Sequence, residues 1–383
     1  MKRYLCVITI ILCCLAIQAQ NIYFNHLTPE EGLSQISVNS LYADEDGVIW
    51  IATRVGLDRF DGSSIQVFRQ KQGDDKSLFC NNVLKLVGDG KRHLYLLCAE
   101  GLARLDLHTH QFTPLKYGNA IGAICYHDQL YVSMENTVYK LDPDSHQFIR
   151  YIQVPGSETI TCLTVDQSDR LWIGTRSSGV YCYAHGRLTH PIAAGNIMTI
   201  YEDSRHAIWI GSWSDGFWHI GPKGAIKNIR QSNSLDINYV RAFCEDNQGD
   251  MWIGTFHGLI RYTPDTGESH LYKTDMNPGG LSHSSILSII KDRQGTLWIG
   301  TYFGGGNYFN PEHAIYTRYR ISASESAGLS SQIVGRMTED DKGQLWICTE
   351  GGGLNVYNRK TRQFTWYPYP GTKISQNNLK AIY

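Results

Sequence analysis

Along most of the chain, apolar stretches of a few residues alternate with short polar turns, and the alternation returns about every 40 residues. Six segments can be laid over one another: IWIATRVGLDRFD from Ile49, LWIGTRSSGVYCY from Leu171, IWIGSWSDGFWHI from Ile208, MWIGTFHGLIRYT from Met251, LWIGTYFGGGNYF from Leu297 and LWICTEGGGLNVY from Leu345. Two weaker copies, from Leu94 and Leu130, carry tyrosine where the others carry tryptophan. The anchors Trp50, Tyr95, Tyr131, Trp172, Trp209, Trp252, Trp298 and Trp346 stand 36 to 48 residues apart. Ahead of each anchor comes a short apolar strand (Val38 and Leu41, Val240 and Phe243, Ile286 and Ile289) and then an acidic, glycine-containing turn such as Asp44 to Gly47 or Asp292 to Gly295. Behind it a second turn leads to a third strand, and a fourth such as Gln363 to Tyr367 closes the unit. Four antiparallel strands per 40-residue repeat predict an all-β chain, a β-propeller of four-stranded blades. A lone four-stranded sheet leaves both faces exposed, and packing blades face to face buries them, with the repeated tryptophan in the layer between blades.

The phrase L-S-x-x-x-[VI]-x-x-[IL], followed by E-D-x-x-G-x-L-W-I-G-T-x-x-G-G-L-x-x-Y, resembles the repeat of the two-component regulator propeller family. It occurs as Leu281 to Tyr308 and Leu329 to Tyr357, and in shorter form as Leu33 to Phe60. The resemblance implies the exported region of a hybrid sensor, a class that typically has two successive seven-bladed propellers, an immunoglobulin-like domain, a membrane helix and a histidine kinase, and that often senses oligosaccharides. On that pattern residues 20–325 form one seven-bladed propeller, and residues 326–383 the first blade and part of the next of a second, incomplete one. SQNNLKAIY, Ser375 to Tyr383, reads as the first strand of a further blade. No membrane helix or kinase motif follows it, so the chain reads as a truncated sensor or one piece of a split gene, and its expected protein partner is the missing C-terminal sensor and kinase portion or a second sensor chain. Residues 331–383 are then expected to be the least stable part. Tyr23 to Ser34 aligns with Tyr272 to Ser282, which predicts that residues 22–26 add as a fourth strand to the edge of another blade.

Residues 1–19 change the picture of where the chain works. Lys2 and Arg3 precede an apolar run ending in a small residue at Ala19, the pattern of a secretory signal peptide, and the run is short for a membrane span. The expected location is periplasmic or secreted, with membrane contact only through the missing portion. The formal net charge of −1 excludes a broad field for nucleic acid. Beyond the leader, seven scattered cysteines, with no C-x-x-C pair, fit neither a disulfide framework nor a zinc site and read as small buried hydrophobes. His108 and His110, two apart in a solvated turn, are a weak metal signal, and no metal or cofactor is expected. Acids such as Asp46 and Asp341 fall in the recurrent turns and read as structural.

The position after each W-I-G-T element recurs on the face where blades connect: Arg54, Ala99, Glu135, Arg176, Trp213, Phe256, Tyr302 and Glu350. All but Ala99 are large, and they are the candidate ligand residues. Arginine suits the carboxylate of an acidic sugar, and Trp213, Phe256 and Tyr302 suit pyranose faces. In a seven-membered ring Glu350 belongs to the second propeller. The expected function is a non-catalytic oligosaccharide sensor. The alternatives are a carbohydrate-active propeller lyase or hydrolase, and an interaction scaffold or remnant of a split sensor gene.

Overall fold

The computed structural model describes residues 22–382 except 119, 143–144, 194, 231–237, 278, 314–318, 320, 323–325 and 327. The expected signal peptide lies outside the described residues. The chain divides into two compact units, Ile22–His313 and a second made mainly of Ala314–Tyr383. The described residues form eight four-stranded antiparallel sheets, seven in the first unit and one in the second. Numbered along the chain, the first seven begin with Ser40–Ala43, Val83–Gly88, Gly122–Tyr126, Ile160–Val165, Ile197–Glu202, Val240–Glu245 and Ile286–Lys291, and the eighth with Val334–Glu339. In the first unit each of these innermost strands packs against that of the next sheet, and Ser40–Ala43 packs against Ile286–Lys291, so the seven sheets follow one another round a closed circle.

The circle is fastened at the chain start. Asn25–Leu27 supplies the fourth strand of sheet seven, pairing antiparallel with Gly306–Tyr308. The expected edge pairing therefore occurs, shifted toward residues 25–27. Phe24 anchors it, buried with its ring edge against Tyr272 and Phe309.

Each word of the repeat has a physical task. The glycine of W-I-G-T is where the next sheet's innermost strand comes closest. A Cβ at Gly174, Gly211, Gly254 or Gly300 would stand 2.6–2.7 Å from a methyl of Ile197, Val240, Ile286 or Val38. The threonine or serine that follows closes the hairpin: the Oγ of Thr53, Thr175, Ser212, Thr255, Thr301 and Thr349 donates to a glycine carbonyl three or four residues on, at 2.7–2.9 Å. Thr301 Oγ1 also accepts the Gly304 N–H and is fully buried. Thr301→Val, which keeps the shape and removes both bonds, is expected to cost about 1–2 kcal/mol in chemical unfolding, and an unchanged midpoint would sink this account.

The turn acid is the head of the turn. Asp44, Asp166, Asp203, Asp246, Asp292 and Asp340 each accept two backbone N–H groups on one carboxylate oxygen. The other oxygen accepts the indole N–H of Trp50, Trp172, Trp209, Trp252, Trp298 and Trp346 at 2.7–2.9 Å. The structural carboxylate is thus Asp44 or Asp340, and Asp46 and Asp341, read from sequence as structural, are exposed. The indoles are buried in the first unit, as expected for the layer between sheets, while Trp346 in the eighth sheet and Tyr131 in the third are half-buried. His110 packs edge-on against Trp50 and Phe68, so its ring is used in packing. All seven described cysteines are free thiols and six are buried. Burial pushes Cys182 up to about 11, which keeps it an unreactive thiol.

Candidate functional site

At one end of the sheets the chain passes from each fourth strand to the next innermost strand, and the loops after the W-I-G-T hairpins share that end. They are pinned there by backbone bonds: the N–H groups of Ala99, Arg176, Trp213, Phe256, Tyr302 and Glu350 donate to the carbonyls of Asn82, Thr159, Asn196, Tyr239, Ser285 and Ile333, each just ahead of an innermost strand. Glu135 is held the other way, its carbonyl accepting the Ile160 N–H. Arg54 follows Thr53, whose carbonyl accepts the Val83 N–H.

Four of the eight expected positions are drawn into one arc over sheets five, six, seven and one. The Trp213 ring meets Tyr239 edge-on at 5.0 Å, and Tyr239 lies 6.0 Å from Phe256. The Arg241 guanidinium sits 5.3 Å from the Trp213 ring and 4.9 Å from Phe256, and donates to Ser285 Oγ at 2.9 Å. Burial lowers its pKa, with Tyr302 opposing. Further along, Arg54 lies over the Tyr302 ring at 5.2 Å, and Tyr302 meets Phe303 at 4.2 Å. Trp213, Phe256 and Phe303 are exposed although large and apolar, and rings that stay in solvent beside a desolvated cation form a surface suited to a ligand with both apolar faces and negative charge. Ala99, Glu135 and Arg176 are exposed, and among the described residues no side-chain hydrogen bond or ring contact joins them to this arc, while Glu350 holds the same position in the other compact unit. Trp218, also outside the anchor pattern, is a core residue.

Sequence reasoning missed Arg241 and Tyr239. Arg241 had a signal, a cation between Val240 and Ala242 in an otherwise apolar innermost strand. Tyr239 had none: its position depends on a left-handed backbone at φ 63°, uncommon for a bulky residue.

The described residues contain no helix long and apolar enough to cross a membrane and no cluster of three or more metal-ligating side chains. Among solved structures, the fold is similar to the extracellular domain assigned to the hybrid two-component system BT3049 from B. thetaiotaomicron, with 21% identity and a TM-score of 0.70 over 94% of this chain and 50% of that one. It is similar also to that of BT4673 from the same organism, with 20% identity and a TM-score of 0.65 over 92% of this chain and 54% of that one. The chain therefore spans about half the length of these relatives. A streptogramin B lyase shares the fold at 15% identity and a TM-score of 0.60, over 76% of this chain and 98% of the lyase. Among characterised sequences, histidine kinase P4 of Formosa agariphila is 39% identical over 61 residues, 16% of this chain and 4% of that protein. The two-component regulator propeller model matches residues 32–54, 154–177, 234–257, 280–303 and 328–351. Those segments run from the L-S turn or its equivalent to one or two residues past the W-I-G-T element, and by these repeats the chain belongs to the two-component regulator propeller family.

Proposed function

We propose that this chain is the exported, non-catalytic sensing part of a two-component system. It receives an oligosaccharide on the arc formed by Trp213, Tyr239, Arg241, Phe256, Tyr302 and Arg54, and relays binding to a histidine kinase. The seven sheets of residues 22–313 then act as one propeller, with the eighth sheet beginning a second. The observation that carries the reading is Arg241, a half-buried guanidinium between two exposed aromatic rings with a serine hydroxyl as its hydrogen-bond partner. Such a cation offers its remaining donors to a carboxylate or sulfate while the rings stack on sugar faces. The likeness to a lyase is one of fold, and folds of this kind host unrelated functions.

The test is calorimetric titration of the whole chain with oligogalacturonate as the acidic probe and xylo-oligosaccharide as the neutral one. Acidic probe is expected to bind wild type, and Arg241→Gln to weaken it by about tenfold, the loss of one charge-assisted contact. Trp213→Ala is expected to weaken both probes. Equal binding by wild type and both variants would remove this face from consideration, and binding of neither probe would overturn the oligosaccharide reading.

A further inference from the structure

The second and third sheets depart from the pattern at the end opposite the arc. In sheet three the first turn shrinks to His127 and Asp128, both left-handed, between Tyr126 and Gln129, where sheet six has the Asp246–Asp250 turn. The anchors are also smaller, Tyr95 and Tyr131 in place of tryptophan. Asp89 still heads the turn of sheet two, accepting the N–H groups of Lys91, Arg92 and His93 on Oδ1, but its Oδ2 meets His93 Nδ1 at 3.0 Å where other sheets present an indole. A shorter turn and a smaller ring leave space between the two sheets, a cavity of about 350 Å³. That lies within the range of about 300–1,000 Å³ of small-ligand sites.

The charges lining this cavity are unevenly satisfied. Asp89 is saturated by four donors, and Asp128 is bound by Lys91 at 2.8 Å. Arg92 turns to Asp106. Left facing the cavity are donors. Arg104 is half-buried beside Tyr95 on the neighbouring strand and has no acceptor among the described residues. The Tyr95 hydroxyl, which burial pushes up to about 12, stays protonated. His93 keeps its second ring nitrogen, and His146 stands on the wall. With Asp89 satisfied by its own turn and Asp128 by Lys91 of the facing sheet, the guanidinium left over makes a pocket for negative charge.

We infer that this cavity between the second and third sheets is an anion site, in which Arg104 and Tyr95 hold a compact oxyanion: sulfate, phosphate or the carboxylate of a small acid. Its place in the fold and its residues are separate from the arc, so the two stand or fall independently.

Thermal unfolding of the whole chain in sodium sulfate, sodium phosphate and sodium glucuronate, each against chloride at equal ionic strength, tests it. Sulfate also stabilises proteins generally by exclusion from their surface, so the readout is the saturable part of the shift, which follows mass action. Wild type is expected to show saturation with at least one probe, and Arg104→Gln to need roughly tenfold more of it, as for a lost charge-assisted pair. Tyr95→Phe, which removes only the hydroxyl, is expected to weaken the same probe several-fold and stands in if Arg104→Gln does not fold. Arg241→Gln should behave as wild type. Saturation by the inorganic ions alone assigns a free-ion site, and saturation by glucuronate a site for small organic acids. No saturation in wild type, or identical curves for wild type and Tyr95→Phe together with Arg104→Gln, overturns the inference.

Discussion

Asp246→Ala is expected to destabilise the seven-sheet unit by about 3–5 kcal/mol, since hydrogen bonds to a charged group are worth about 1.5–3 kcal/mol each and buried donors left unpaired cost more. The Asp246 carboxylate is buried and accepts from the N–H groups of Gln248 and Asp250 and from the indole of Trp252 at 2.8–3.0 Å. Alanine leaves the indole N–H unpaired in the layer where Trp252 packs on Tyr272 and Phe309. Asp46→Ala, two residues past the head of the first turn and exposed, is the control and is expected to change stability by less than about 0.5 kcal/mol. Urea unfolding followed by tryptophan fluorescence separates them. Similar midpoints for the two variants would show that the turn carboxylate is a bystander.

The opposite sign is expected at Asp58. In sheets seven and eight the position facing the L-S turn is asparagine: Asn307 accepts the Ser282 N–H and donates back to Ser282 Oγ at 2.7 Å, and Asn355 does the same with Ser330. In sheet one that position is Asp58. Its Oδ2 accepts the Ser34 N–H at 2.8 Å, but its Oδ1 is buried without a donor, and Ser34 Oγ pairs with Thr53 instead. Burial outweighs the Ser34 hydrogen bond and raises the pKa from 3.8 to about 6. A raised pKa means that the folded state favours the protonated acid. The cost is therefore absent below about pH 4, grows as pH rises through 6, and is complete by about pH 7, at about 3 kcal/mol for roughly two units. Asp58→Asn supplies the missing donor without charge. It is expected to stabilise the unit by about 2–3 kcal/mol at pH 8 and by little at pH 4. A gain that is the same at both pH values would refute the titration of Asp58 as its source.

How much was legible follows from what is local. The L-S pair, the turn acid, the W-I-G-T strand and the hairpin glycine act within about 25 residues of one another: Ser330 reaches Asn355, Asp340 reaches Trp346, and Thr349 reaches Gly353. Interactions of that span leave a repeating trace, so strand order and the buried anchors could be read in advance. Even there two readings slipped, to Asp46 from Asp44 and to Asp341 from Asp340, because the pattern marks a turn as acidic without saying which carboxylate the indole meets.

The arc shows the boundary. Trp213, Phe256, Tyr302 and Arg54 were found because each follows the same repeated element, whereas Arg241 and Tyr239 precede it and join the arc only when sheets five, six and seven stand side by side. Asp58 looked like any polar strand residue, and its burial exists only once Ser34 folds over it. The cavity beside Arg104 was least visible, since it arises from a turn that is short and rings that are small on two different sheets. The sequence by itself determined the repeat, the strands within it and the acids and indoles that fasten each sheet, because those bonds close over short stretches of backbone. Which side chains meet between sheets was decided by the tertiary structure alone: packing one repeat against the next places residues far apart in the chain within a few ångströms, and no local pattern encodes that distance.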